Sequence, residues 1–220
     1  GIQAPLIADI AKNLDLEFVS IYGFGCPYPI AFKDLKYPKS SKCKFVDEKL
    51  LVNSILKNIN PNDLLITRFR FSNPKYLNYK NFNYKFSNSY DLGLDKLSNM
   101  ISKRFGKMLV IGSNPSLSSS ELISLNPQWF NIYQENLVQT ISKTNNPQTE
   151  LYLSIDKKYE NIAKEKNWNY FPTRSYFCKK AICFIKTSGK PLYFDKTHLT
   201  QTGMLLYQED LKNVILSLIN

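Results

Sequence analysis

The sequence predicts an α/β domain in which a mostly parallel sheet carries helices on both faces. Three observations predict it. Segments of strand character alternate with segments of helical period along the chain. The strand segments are short, continuous apolar runs, as strands buried on both faces are. The 220 residues suit one well-buried domain, spanning 1–220, rather than two.

The elements follow in order. Ile2, Leu6, Ile10 and Leu14 recur every four residues and predict an amphipathic helix over 2–14. Phe18 to Tyr22 reads as a strand. A Gly-, Pro- and Lys-rich loop runs from Gly23 to Lys44. Asp47 can cap a helix that reaches about Asn58, and Asn60-Pro61-Asn62 is a turn. Leu64 to Phe69 is the clearest buried strand. Residues 73–91 are rich in Asn, Tyr, Lys and Phe without helical period and read as a surface loop. A helix over 92–104 leads to the strand Met108–Ile111 and the turn Gly112-Ser113-Asn114-Pro115. Helices are expected over 128–143 and 155–167, then the short strand Asn169–Phe171. A loop holds Cys178 and Cys183, and a helix from Thr200 to Leu218 closes the chain. In such a sheet the active site lies beyond the carboxyl ends of the strands.

Composition narrows the class. Hydrophobic residues make up 43% and charged residues 21%, ordinary for a folded domain. No run of about 18 apolar residues could span a membrane. Residues 1–5 lack the basic start and apolar centre of a leader peptide, and the chain is read as a mature form or a fragment. The net charge of +11 favours anionic partners such as nucleic acid, anionic lipid or acidic polysaccharide. The charges are scattered and no nucleic-acid-binding signature accompanies them, so no nucleic-acid partner is expected.

Four cysteines form two local pairs, Cys26 with Cys43 and Cys178 with Cys183, which suits two disulfides in an oxidising compartment or else buried thiols. A metal site needs four converging ligands. With one histidine and no two-residue cysteine spacing, no metal is expected.

The sharpest candidate for chemistry is Asp195-Lys196-Thr197-His198, which contains the chain's sole histidine. An imidazole can shuttle protons near neutral pH. A carboxylate three residues earlier, across a tight turn, can accept the ring's hydrogen bond and fix its tautomer. A solvated or helix-capping pair would carry the same residues. Arg68, at the end of a buried strand, either lines a site or makes an ordinary salt bridge. Ser113 and Asn114 end another strand on the same side and can shape a pocket.

These residues carry a family resemblance. Asp195-Lys196-Thr197-His198-Leu199, four residues after Pro191 and just before a closing helix, is similar to the last signature block of SGNH hydrolases. The chain resembles the SGNH domain fused to multi-pass membrane acyltransferases that O-acetylate bacterial surface polysaccharides. Gly25-Cys26-Pro27 resembles that group's cysteine-containing segment. Leu65-Ile66-Thr67-Arg68-Phe69 resembles its strand ending in Arg and an aromatic residue. Gly106 to Ile111, then Pro115, resembles its next strand and turn. Cys178 and Cys183, ahead of Pro191-Leu192-Tyr193, resemble its C-terminal disulfide loop.

The resemblance implies a flavodoxin-like three-layer sandwich and a serine-dependent O-acyltransferase with a Ser-His-Asp mechanism. In it His198 is the base and Asp195 orients it. Arg68, Gly25, Ser113 and Asn114 are the candidate substrate-binding residues, Gly25 as a backbone donor. The partners implied are an acyl donor, a glycan acceptor and a membrane acyltransferase domain in the same polypeptide, in the periplasm or outside the cell. The mechanism needs no cofactor. An esterase acting on a glycan, or a non-catalytic glycan-binding module, would use the same frame. The family's Gly-Asp-Ser nucleophile motif is absent from these 220 residues. The resemblance therefore places the first strand and its serine just upstream of Gly1.

Overall fold

The computed structural model describes residues 4–19, 57–68, 77–78, 81–82, 94–104, 106–115, 140–141, 147–166, 168–179, 182–195 and 198–220. Its first helix, Ala4–Asn13, buries Leu6, Ile10 and Ala11 on one stripe. Asp15 takes a left-handed φ of 54°. The Leu16 N–H then donates to the Ala11 carbonyl and the Asp15 N–H to the Lys12 carbonyl, which satisfies the last turn. Leu16 to Val19 have no regular structure, and Val19 is 71% exposed. The first two residues of the strand expected over Phe18–Tyr22 are therefore not strand, and its remainder lies outside the described residues.

The central sheet is parallel. Leu64–Arg68 pairs with Lys107–Ile111, residue for residue from Leu64↔Lys107 to Arg68↔Ile111. The other edge of Lys107–Ile111 pairs with Asn169–Phe171. Leu109 and Ile111 face a core shared with Leu6, Ile10, Phe171, Phe177, Leu211 and Ile215. Met108 and Val110 point the opposite way, by strand alternation, and are just as buried. Both faces of this strand are thus covered, as its uninterrupted apolar run requires. Leu64–Arg68 is half-buried throughout and, among the described residues, paired along one edge.

Helices flank the sheet. The helix over 94–102 buries Leu94, Leu97, Ser98 and Ile101. Pro147–Glu165 starts earlier than the expected 155, and its Tyr159 stacks on Tyr170 with ring centroids 5.9 Å apart. The closing helix is two helices, Gln201–Leu205 and Gln208–Ile219. Between them Tyr207 is 1% exposed, its ring packed against Phe171, Tyr176 and Phe177. Burying that ring outweighs two residues of helical propensity. No described helix is long and apolar enough to cross a membrane.

Small antiparallel pieces complete the fold. Thr140–Ile141, Ile182–Phe184 and Cys178–Lys179 form one sheet, and a disulfide joins the register partners Cys178 and Cys183. Of the helix expected over 128–143, only Thr140–Ile141 lie among the described residues, and they form a strand; the expected cysteine loop is a stapled hairpin. Lys186–Thr187 and Lys190–Pro191 pair across Ser188-Gly189, both at positive φ, as a tight hairpin turn demands. The loop expected over 73–91 holds a two-residue pairing of Leu77–Asn78 with Asn81–Phe82.

Candidate functional site

The segment 191–203 is fastened before it carries any chemistry. The Leu192 N–H donates to the Ile185 carbonyl at 2.7 Å, and the Thr200 N–H to the Leu192 carbonyl at 3.0 Å. Thr200 caps the Gln201–Leu205 helix: its Oγ1 accepts from the Gly203 N–H at 3.2 Å and donates to the Pro191 carbonyl at 2.6 Å. Leu192, Tyr193 and Leu199 are buried, and Tyr193 bridges Leu199. The turn between them has a closed base and an anchored exit.

On that turn Asp195 holds His198 at two points. Oδ1 accepts from the His198 backbone N–H at 2.8 Å, and Oδ2 lies 2.5 Å from Nδ1. The Phe194 N–H donates to the His198 carbonyl at 2.8 Å, closing the turn from the other side. The His198 and Asp195 side chains are 26% and 41% exposed. With its proton on Nδ1 directed at the carboxylate, the ring has Nε2 as the nitrogen that can take up another. The carboxylate also stabilises the imidazolium that results. Phe194, next to this pair, is 77% exposed.

Other polar groups gather where the strands end. Arg68 is the last residue of its strand and half-buried; Ser113 and Asn114, past Ile111, are 6% and 5% exposed. The Gly112 N–H donates to the Phe171 carbonyl at 2.8 Å, and Thr173 Oγ1 to the Gly112 carbonyl at 3.1 Å, stitching the exits of two neighbouring strands. Asp156 accepts from the Tyr170 hydroxyl at 2.5 Å. Burial pushes its carboxyl up to about 6, against the lowering effects of Tyr170 and Arg174, while Glu160 adds to the rise. Arg174 is 1% exposed, and burial lowers its pKa despite Asp156 and Tyr193. Tyr193 packs on Phe177, so the His198 turn adjoins the segment leaving Asn169–Phe171.

Of the residues singled out in the sequence, the structure brings Asp195 and His198 together and puts Arg68, Ser113 and Asn114 at the carboxyl edge. Gly25, Cys26 and Cys43 lie outside the described residues. The sequence reading missed Asp156, Arg174 and Phe194. The first two are polar residues in stretches without a motif; the third, flanking Asp195, was open to notice. Among the described residues no three His, Cys, Asp or Glu side chains gather that could hold a metal ion.

Comparison with known proteins adds to this geometry. The family model described as "SGNH domain (fused to AT3 domains)" matches residues 3–213. No curated protein matches the chain. One similar solved structure is the periplasmic domain of a lipopolysaccharide acetyltransferase from Salmonella ser. Paratyphi A. It is 14% identical, with a TM-score of 0.54 over 76% of this chain and 61% of that one. At that identity the likeness is one of fold, and the chain spans about three fifths of the length of that structure.

Proposed function

Because the chain belongs to the family of SGNH domains fused to AT3 domains, we propose that it is the serine-dependent part of a glycan O-acyltransferase. The observation that carries this reading is the double hold of Asp195 on His198, the sole histidine, at the surface of an anchored turn. A ring so held is ready to act as a general base.

The chemistry is acyl transfer in two steps. A serine upstream of Gly1 attacks the acyl carbonyl carbon while His198 Nε2 takes its proton. The tetrahedral intermediate collapses, and the departing donor fragment carries that proton away. A sugar hydroxyl then attacks the acyl-serine, giving its proton to Nε2, which passes it to the serine oxygen as the acyl–serine bond breaks. Arg68, Ser113 and Asn114 bind substrate at the sheet's carboxyl edge, with Gly25 as a backbone donor. If water replaces the sugar, the same groups give an esterase. No step calls for a cofactor.

The setting belongs to the same reading. The whole chain acts as one domain, working in the periplasm or outside the cell beside a membrane acyltransferase domain of the same polypeptide. The Cys178–Cys183 disulfide and the family's fusion with AT3 domains support it.

The test is hydrolysis of p-nitrophenyl acetate by the polypeptide with its upstream segment included. Activity lost in His198→Ala, with the circular dichroism unchanged, is the expected result. Two equally inert proteins would overturn the reading in favour of a non-catalytic glycan-binding module, and equal non-zero rates would remove His198 from the mechanism.

A further inference from the structure

Two buried polar side chains at the carboxyl edge have hydrogen bonds unmet. Arg174 is 1% exposed, yet among the described residues its Nε and Nη1 have no hydrogen-bond partner. Its Nη2 reaches the Cys183 sulfur at 4.0 Å, a weak acceptor. Asp156 attracts the guanidinium but, among the described residues, neither it nor any other carboxylate forms an ion pair with Arg174. Asn114 is 5% exposed, and among the described residues neither its Oδ1 nor its Nδ2 has a partner. Native proteins satisfy nearly all such groups, because an unmet buried donor bears its full desolvation cost, and a cation more so. Two such exceptions, past the carboxyl ends of neighbouring strands in a parallel sheet, point to ligand atoms that complete them.

The two groups sit at matched positions. Ile111 and Phe171 are register partners, and Asn114 and Arg174 each come three residues later. The bonds from Gly112 to Phe171 and from Thr173 to Gly112 keep the two exits side by side. A guanidinium matches a carboxylate, while an amide offers one donor group and one acceptor, which suits a hydroxyl. A sugar bearing a carboxylate beside a hydroxyl presents both. A neutral sugar would leave Arg174 unmet. The net charge of +11 favours an anionic glycan as well.

We propose that Arg174 and Asn114 form a subsite for an acidic sugar, Arg174 taking its carboxylate and Asn114 a ring hydroxyl. The subsite names the acceptor class for the acyl transfer above and rests on that reading.

Binding, measured by calorimetry on the polypeptide with its upstream segment included, tests it independently of turnover. Glucuronate is expected to bind saturably, and glucose and inorganic phosphate at least about tenfold more weakly. Arg174→Met should abolish glucuronate binding, and Asn114→Ala should weaken it about fivefold. Should Arg174→Met fail to fold, Arg174→Lys keeps the charge without the planar fork and should weaken binding about tenfold. Glucose binding as tightly as glucuronate overturns the proposal. So does phosphate binding as tightly, which would mark a bare anion hole, or an affinity unmoved by Arg174→Lys and Asn114→Ala. Hydrolysis of p-nitrophenyl acetate, assayed alongside, reads the acyl-transfer chemistry separately: its absence with glucuronate still bound overturns the enzyme reading and leaves the subsite as that of a binding module.

Discussion

Gly203 lies so close beneath Leu192 that a methyl group on it would meet the Leu192 carbonyl oxygen at 2.3 Å. That oxygen also accepts from the Thr200 N–H, so it cannot move without loosening the turn that holds His198. Gly203→Ala is expected to destabilise the fold by about 2–4 kcal/mol. Gly189→Ala is the control: its φ of +74° strains an alanine, but nothing lies within 4 Å, and about 1 kcal/mol is expected. Urea unfolding of both variants measures the contrast.

Asp195→Asn tests orientation separately from proton transfer. The amide oxygen can still accept from the His198 backbone, so the turn is retained, but the negative charge opposite the ring is lost. A fall in kcat/KM for a small ester of about 10²–10⁴ is expected, with a melting curve close to wild type. A variant as active as wild type would remove Asp195 from the mechanism.

Asp156 makes part of the stability pH-dependent. Its folded pKa of about 6 lies above the 3.8 of a free side chain, so the folded state holds this proton where the unfolded state has released it. Stability from this group is therefore full below pH 4 and declines as pH rises from about 4 to 6, by up to roughly 3 kcal/mol. The groups facing it are Tyr170, Arg174 and Glu160. Asp156→Asn can still accept from Tyr170 and should flatten that decline. Denaturant unfolding at pH 4.5 and pH 7 on both proteins gives the comparison.

Thr200→Ala removes the hydroxyl that both caps the Gln201–Leu205 helix and binds the Pro191 carbonyl. A loss of about 1–2 kcal/mol is expected from the cap. Thermal unfolding would register it, and Thr200→Ser should restore most of the loss.

Removing the Cys178–Cys183 disulfide, which closes a separation of five residues, is expected to cost about 2 kcal/mol. Unfolding of wild type against a Cys178→Ser, Cys183→Ser double variant measures it. The hairpin should survive in buffer, since Lys179↔Ile182 pairs independently of the sulfur bridge.

What could be read in advance depended on the range of the interaction. Met108 to Ile111 declared a doubly buried strand because both faces of one continuous run are apolar, and all four are buried. Asp195 and His198 were legible because their bond spans three residues. Thr140–Ile141 was read as helix because its strand character comes from Cys183 and Phe184, some forty residues on. The break at Tyr207 arises from aromatic partners at 171, 176 and 177. Arg174 gave no local sign, since its distinction is two unmet donor nitrogens, which only three-dimensional packing reveals.

The acid and the imidazole ride on the same five-residue turn, so a hinge, a docking partner or a bent membrane would carry them as a unit. Their mutual alignment is set within that turn by the two bonds between Asp195 and His198. With the serine we propose upstream of Gly1, the separation left to adjust is the one between the ring and that hydroxyl. Control by a fused AT3 domain would then work like a clutch, engaging or parting two pre-set plates rather than reshaping either.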